Sequence, residues 1–149
     1  MYRKGVVAII LNNQNQILLV NLTNFEENFY SIPGGGSEKG ESSTDTLKRE
    51  IFEELGIEPN KISIIKKSNT IYKFNFQVPT IKDGKEYIGQ EKECFLVKFK
   101  GIESDIKLSK NEVRKYLWSD YKNLYEYLLF EEQLDSIQTF IKELCPQIL

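Results

Sequence analysis

Histidine is absent from this 149-residue chain. That excludes histidine triads, histidine metal sites and histidine general bases, so acid–base chemistry must run on carboxylates, lysine, tyrosine or a metal ion. Cysteine occurs only as Cys94 and Cys145, with no ligand-like spacing. A buried free thiol is therefore expected at Cys94, and a disulfide is not expected in the cytosol. No apolar run approaches a membrane span, and Met1-Tyr2-Arg3-Lys4-Gly5 has no signal-peptide pattern. The expectation is a cytoplasmic protein with no membrane contact. Neither sign of charge dominates, with 20 Lys and Arg against 22 Asp and Glu. General nucleic-acid binding is excluded, and any nucleotide or RNA end must be met by local cations, aromatics and metal.

What is present suffices for one well-buried domain over residues 1–149, as a monomer or homodimer. Val6–Leu11 and Ile17–Val20 read as strands of a hairpin around the polar Asn12–Gln16 turn. Phe29–Ile32 reads as a short strand, and Gly34-Gly35-Gly36 as a flexible loop whose amides can approach a ligand. Ser42 with Asp45 resembles a capping box opening a helix over about Ser43–Leu55, stopped by Gly56. Strands follow at Ser63–Lys66, Ser68–Gln77, Glu91–Lys100 and Arg114–Trp118, with an Asp83-Gly84 turn. Helices are expected over Asp120–Leu129, capped by Ser119, and over Glu131–Leu144. The pattern predicts an α+β fold with a mixed sheet between helices.

The stretch from Gly35 to Ile57 carries the pattern G-x5-E-x7-R-E-aliphatic-x-E-E-x-G-aliphatic. On a helical wheel Leu47, Ile51 and Leu55 form one stripe, which must face the core. Glu50, Glu53 and Glu54 share an adjoining face, with Glu54 beside the apolar stripe and partly buried. Three carboxylates there repel one another and raise one another's pKa unless a cation compensates. Their density points to Mg²⁺ or Mn²⁺, which take carboxylate oxygens. Arg49 can orient a glutamate through a bidentate contact, with Glu41 its natural partner. The Gly35 carbonyl is a further candidate ligand. Tyr72, Lys73 and Lys92 are candidates to meet phosphate, against the reading that lysines are merely solvated. Tyr30, Phe25 and Tyr116 are candidates to stack on a base, with core packing the competing reading. Trp118 reads as core.

This motif resembles the Nudix box, the signature of the Nudix hydrolases, with every fixed position filled. The resemblance implies an αβα sandwich, more than one divalent ion per site, and hydrolysis of a nucleoside diphosphate linked to another group. It implies Glu50, Glu53 and Glu54 as metal ligands, with Arg49 and Glu41 in support. Other segments resemble the branch containing RNA pyrophosphohydrolases and dinucleoside polyphosphate hydrolases. Tyr2-Arg3 matches its Y-R pair, where the arginine meets phosphate. Tyr30–Gly36 matches W-x-x-P-x-G-G, with Tyr for Trp. Ile88–Leu96 resembles its G-Q strand, with Gln90 at the glutamine and Cys94 for Trp. Glu112–Trp118 matches E-x-x-x-W/Y-x-W, and implies Glu112 as an extra metal ligand or general base. Glu91 and Glu93 are rivals for the base on a strand. The leading reading is cleavage of dinucleoside polyphosphates or RNA 5′-triphosphate ends. The Pro-Gly-Gly loop motivates an alternative, a (d)NTP, ADP-ribose or nucleotide-sugar pyrophosphatase. A non-catalytic binding module is the third reading.

Overall fold

The structure is a computed structural model and describes residues 1–149. Its strands are β1 (Tyr2–Leu11), β2 (Ile17–Leu22), β3 (Gly34–Gly36), β4 (Ile62–Lys82), β5 (Lys85–Phe99) and β6 (Val113–Ser119). Its helices are α1 (Ser43–Leu55) and α2 (Glu131–Leu144). The strands form one mixed sheet in the order β4-β5-β1-β2-β6, with β3 attached to β1. β1 and β5 run parallel, and the other pairs are antiparallel. The alternation of β1 splits the core. Val6, Ala8 and Ile10 pack under α1, while Ile9 and Leu11 pack on the α2 side. This is the expected αβα sandwich. No helix is long and apolar enough to cross a membrane.

Helix α1 forms as the sequence predicts. Asp45 N–H donates to Ser42 Oγ at 3.1 Å, and Ser42 N–H donates back to Asp45 Oδ2 at 3.4 Å. Gly56 sits at φ 66° and donates its N–H to the Phe52 carbonyl, ending the helix in the left-handed region that favours glycine. Leu47, Ile51 and Leu55 are buried completely or nearly so, each worth about 1.5–3 kcal/mol of apolar burial.

Three segments differ from expectation. Gly34–Gly36 is a strand rather than a flexible loop, and Phe29–Ile32 is not a strand beyond a single bridge from Ser31 to Val20. The cause is that β1 and β2 pair only near their turn, at Leu11↔Ile17, and then part. The returning chain fills the gap, with Ser31 on β2 and Gly34–Gly36 on β1. Only glycine fits there, because a Cβ on Gly34 would lie 2.3 Å from the Val6 carbonyl oxygen. The two strands expected at 63–66 and 68–77 are one, β4, which carries register shifts between Ile64 and Lys66, between Lys67 and Ile71 and between Asn75 and Thr80. The irregularity between Lys67 and Ile71 is pinned by α2: Ser68 Oγ and Asn69 N–H both donate to the Glu143 carboxylate at 2.7 Å. Asp83-Gly84 makes the expected turn, with both residues at positive φ. The expected helix over 120–129 is only a 3₁₀ segment over Tyr121–Glu126, and Ser119 Oγ donates to the Asp120 carbonyl rather than capping it. Tyr30 N–H donates to the Tyr127 carbonyl at 3.1 Å, tying this segment to the Ser31 side of the gap.

Gly34→Ala is expected to cost about 2–3 kcal/mol, because the added methyl meets backbone that cannot move aside. The urea midpoint of unfolding, compared with wild type, checks it.

Candidate active site

The site is assembled where α1 passes the gap between β1 and β2. The Arg49 guanidinium is its hub. It grips Glu41 bidentately, Nε to Oε2 at 2.7 Å and Nη2 to Oε1 at 2.9 Å, and donates to the Gly36 carbonyl at 2.8 Å. Its Nη1 donates to Glu50 Oε1 at 2.9 Å and to Glu53 Oε2 at 3.1 Å. Glu38 N–H and Thr46 Oγ1 also donate to Glu41. The Arg49 hydrogen bonds, with help from the Glu38 amide, lower the Glu41 carboxyl pKa to about 2. One side chain thus ties the loop, β3 and the acidic face of α1 into a unit.

Glu54 departs from its neighbours. It is 5% exposed, and its Oε1 accepts the Gly34 N–H at 3.1 Å. Burial raises its carboxyl pKa to about 8, the Gly34 amide and Lys92 oppose the rise, and the charges of Glu50 and Glu112 add to it. Burial also raises Glu50, against Arg49, with Glu53 and Glu112 adding to the rise. Lys92 on β5 is pushed down by burial and pulled back up by Glu54 and Glu50. Glu112 is exposed, but its loop is fastened to the end of α1, since Ser109 N–H donates to the Glu54 carbonyl and Glu112 N–H to the Ser109 carbonyl. Its charge reaches Glu50 and Glu54 and adds to the rise of both.

No three acidic side chains converge on one point as they stand, because Arg49 and Gly34 each hold a carboxylate oxygen. Glu50, Glu53 and Glu54 each keep a second oxygen outside those hydrogen bonds. A Cβ on Gly35 would lie 2.2 Å from the Glu50 carboxyl carbon, so β3 backbone and that carboxylate already touch. Hard oxygen donors, carboxylates destabilised by burial and close backbone fit a cation such as Mg²⁺.

Beside Glu54 and Lys92 opens a pocket of about 370 Å³ between the sheet and α2. Tyr72 and Phe74 line it from β4, Phe25 from the loop after β2, and Phe130 and Gln133 from the start of α2. Phe25 and Phe130 meet edge to face at 5.6 Å between centroids. Arg114 holds the Phe25 loop by donating to Asn21 Oδ1 at 2.5 Å and to the carbonyls of Thr23 and Phe25. On the other side of β3, a polar groove of about 880 Å³ runs past Arg3, Lys4, Lys39 and Lys82.

Of the residues singled out from the sequence, Tyr72, Lys92 and Phe25 line the pocket with Glu54. Arg3 lies in the groove, its guanidinium against Gly36, whose absent Cβ would fall 2.3 Å from Arg3 Cζ. Gln90 shares a strand face with Lys92 but does not line the pocket. Three expectations are corrected. Tyr30 is buried against Tyr127 in the core, because Ser31 must pair with β2. Tyr116 sits on β6, packs on the α1-side core and donates its hydroxyl to Glu103. Lys73 faces the opposite side of β4 from Tyr72, over the Tyr2 ring at 4.2 Å. Glu91 and Glu93 also point away, paired with Lys4 and Lys67. Sequence reasoning missed Phe74, Phe130, Gln133 and Arg114. Only Phe74 had a signal, its two-residue spacing from Tyr72 on a strand.

A family model for the NUDIX domain matches residues 1–140. An RNA pyrophosphohydrolase of Francisella tularensis subsp. mediasiatica is 28% identical over 148 residues, covering 95% of this chain and 94% of its own. One of Pelagibacter ubique is 29% identical over 134 residues, covering 85% and 82%. The fold is similar to that of a C. elegans Ap4A hydrolase in a binary complex, with a TM-score of 0.69 at 16% identity, over 95% of this chain and 98% of that one.

The raised Glu54 pKa makes metal-free stability depend on pH. The folded carboxyl, at about 8, binds its proton more tightly than the unfolded one, so its contribution is intact at acid pH and is lost as pH rises from about 4.5 through 8. The loss is at most about 5 kcal/mol. Glu54→Gln is expected to flatten this slope, checked by urea midpoints of chelator-treated protein between about pH 5 and pH 9.

Proposed function

This chain belongs to the Nudix family and is a hydrolase of pyrophosphate bonds in nucleoside polyphosphates; from that premise we propose that it cleaves RNA 5′-triphosphate ends or dinucleoside polyphosphates, as one catalytic domain over residues 1–149. The observation that carries the reading is the succession from the Glu50–Glu54 carboxylates, through Lys92, to the aromatic pocket. A cation, a phosphate and a base find their partners there in the order in which a nucleotide presents them. The groove beyond Arg3 supports a substrate longer than one nucleotide, since it offers room and lysines outside the base pocket.

When bound, divalent cations neutralise charge on the phosphoryl oxygens. In the proposed site Glu50, Glu53 and Glu54 hold Mg²⁺ or Mn²⁺, more than one ion, with the Gly35 carbonyl. Arg49, braced by Glu41, sets the angle of Glu50 and Glu53. Lys92 and Arg3 meet the phosphates. Glu112, whose charge reaches Glu50 and Glu54 and which is free in solvent, takes the proton of the attacking water. The relatives named RNA pyrophosphohydrolase support this choice of substrate.

A panel of triphosphorylated RNA, diadenosine tetraphosphate, (d)NTPs and ADP-ribose, assayed with Mg²⁺ or Mn²⁺ and with product identification, tests the proposal. The first two are expected to turn over fastest, and preference for a mononucleotide or ADP-ribose would overturn the substrate assignment. Glu53→Gln is expected to lower kcat by about 100-fold or more, with unchanged circular dichroism because Glu53 is exposed. Activity unaltered by that change would favour a binding module.

A further inference from the structure

Tyr72, Phe74 and Phe76 alternate on β4, so their side chains share one face of the strand. They touch in a row, with ring centroids 5.4 Å apart for the first pair and 5.9 Å for the second. Tyr72 and Phe74 line the aromatic pocket, whereas Phe76 stands outside it. Phe76 is half-buried and belongs to neither core cluster, so core packing does not account for an aromatic there. Lys92 is paired in register with Tyr72, and Gln90 with Phe74, so Phe76 continues the row away from Lys92. From Ile88 to Lys92 the same face of β5 carries Ile88, Gln90 and Lys92, and no carboxylate. Glu91 and Glu93 point to the opposite face, where they pair with Lys4 and Lys67. Past Phe76 the register shifts, and the β4–β5 hairpin runs on beyond the end of β1, whose Tyr2 pairs with Gly89. The tip of that hairpin puts Lys82 and Lys85 on the wall of the polar groove.

We propose that Phe76 is a stacking platform for the second base of a 5′-triphosphorylated RNA, one step along the strand from the pocket that takes the first. The assignment rests on the nucleotide reading above and narrows it to RNA. Bases of single-stranded RNA stack on aromatic side chains presented by a sheet face, and every base has a π-face to offer. In RNA the second base follows the first by one phosphodiester, on the side away from the 5′ phosphates. Phe76 has that position relative to Phe74 and Lys92. In a dinucleoside polyphosphate the second base lies across the whole phosphate bridge. Phosphates held at Lys92 and the Glu50–Glu54 face would then carry it away from β4. The stretch from Ile88 to Lys92 puts no carboxylate against the RNA backbone on this face, and the hairpin lysines lie where the chain would leave.

Equilibrium binding of 5′-monophosphorylated oligonucleotides in Mg²⁺ tests the platform, because these have no pyrophosphate bond to cleave. A dinucleotide is expected to bind about tenfold more tightly than the mononucleotide of the same first base. Phe76→Ala should reduce that ratio to about twofold or less. Phe76→Leu, which keeps apolar bulk without a ring, should do the same. Phe76→Trp should retain the ratio, and its added indole should lose fluorescence with the dinucleotide and not with the mononucleotide. Three results would each overturn the assignment: a ratio near one in the wild-type protein, a ratio unchanged in both Phe76→Ala and Phe76→Leu, or a KM for diadenosine tetraphosphate raised by Phe76→Ala as far as the Kd of the dinucleotide. Failure of triphosphorylated RNA to turn over with Mg²⁺ or Mn²⁺ would defeat the proposed function, while the dinucleotide ratio still decides the role of Phe76.

Discussion

The backbone pairing of Gly34–Gly36 with β1 brings the acidic helix face, the lysine of β5 and the aromatic pocket within reach of one another. Each glycine answers a different contact. Gly34 lies against the Val6 carbonyl, Gly35 against the Glu50 carboxylate and Gly36 against the Arg3 guanidinium. Without side chains, β3 sits in the gap left by β1 and β2 and offers main chain to both sides. The Gly34 amide holds Glu54, and the Gly36 carbonyl accepts from Arg49. A strand with side chains would close the gap and separate α1 from the pocket.

Electrostatics then sets the character of the site. Glu50 and Glu54 lie in a partly dry seam, where like charges cost more than on an exposed helix face. Arg49 offsets part of that cost at Glu41, Glu50 and Glu53, while Glu54 has only an amide and Lys92. The outcome is two carboxyl groups on one seam pushed in opposite directions, Glu41 down by the arginine and Glu54 up by burial. A seam that suits ionised carboxylates poorly in isolation is suited to a multivalent cation.

The parts read correctly from sequence are those governed by local spacing. The capping box, the Gly56 stop, the Leu47–Ile51–Leu55 stripe and the Asp83-Gly84 turn depend on neighbours within a few residues. The misread parts depend on partners far along the chain. Tyr30 has an aromatic's usual choice between ligand and core, and the Ser31–Val20 bridge settles it. Tyr116 and Lys73 are assigned to other surfaces by strand faces fixed only when β6 meets β2 and β4 meets β5. The strand break expected near Lys67 is a bulge held by Glu143, 75 residues away from Ser68.

The sequence by itself determined the acidic face of α1. A helix of 3.6 residues per turn puts Glu50, Glu53 and Glu54 beside a core stripe wherever that helix packs, and the lack of histidine restricts acid–base chemistry to carboxylates, lysine, tyrosine or a metal ion. The tertiary structure decided what faces that helix. Lys92 and Phe74 come from β5 and β4, and Phe130 and Gln133 from the N-cap and first turn of α2, and no local periodicity relates them to the Glu50–Glu54 face. Their meeting depends on a gap between two strands and on three glycines small enough to fill it.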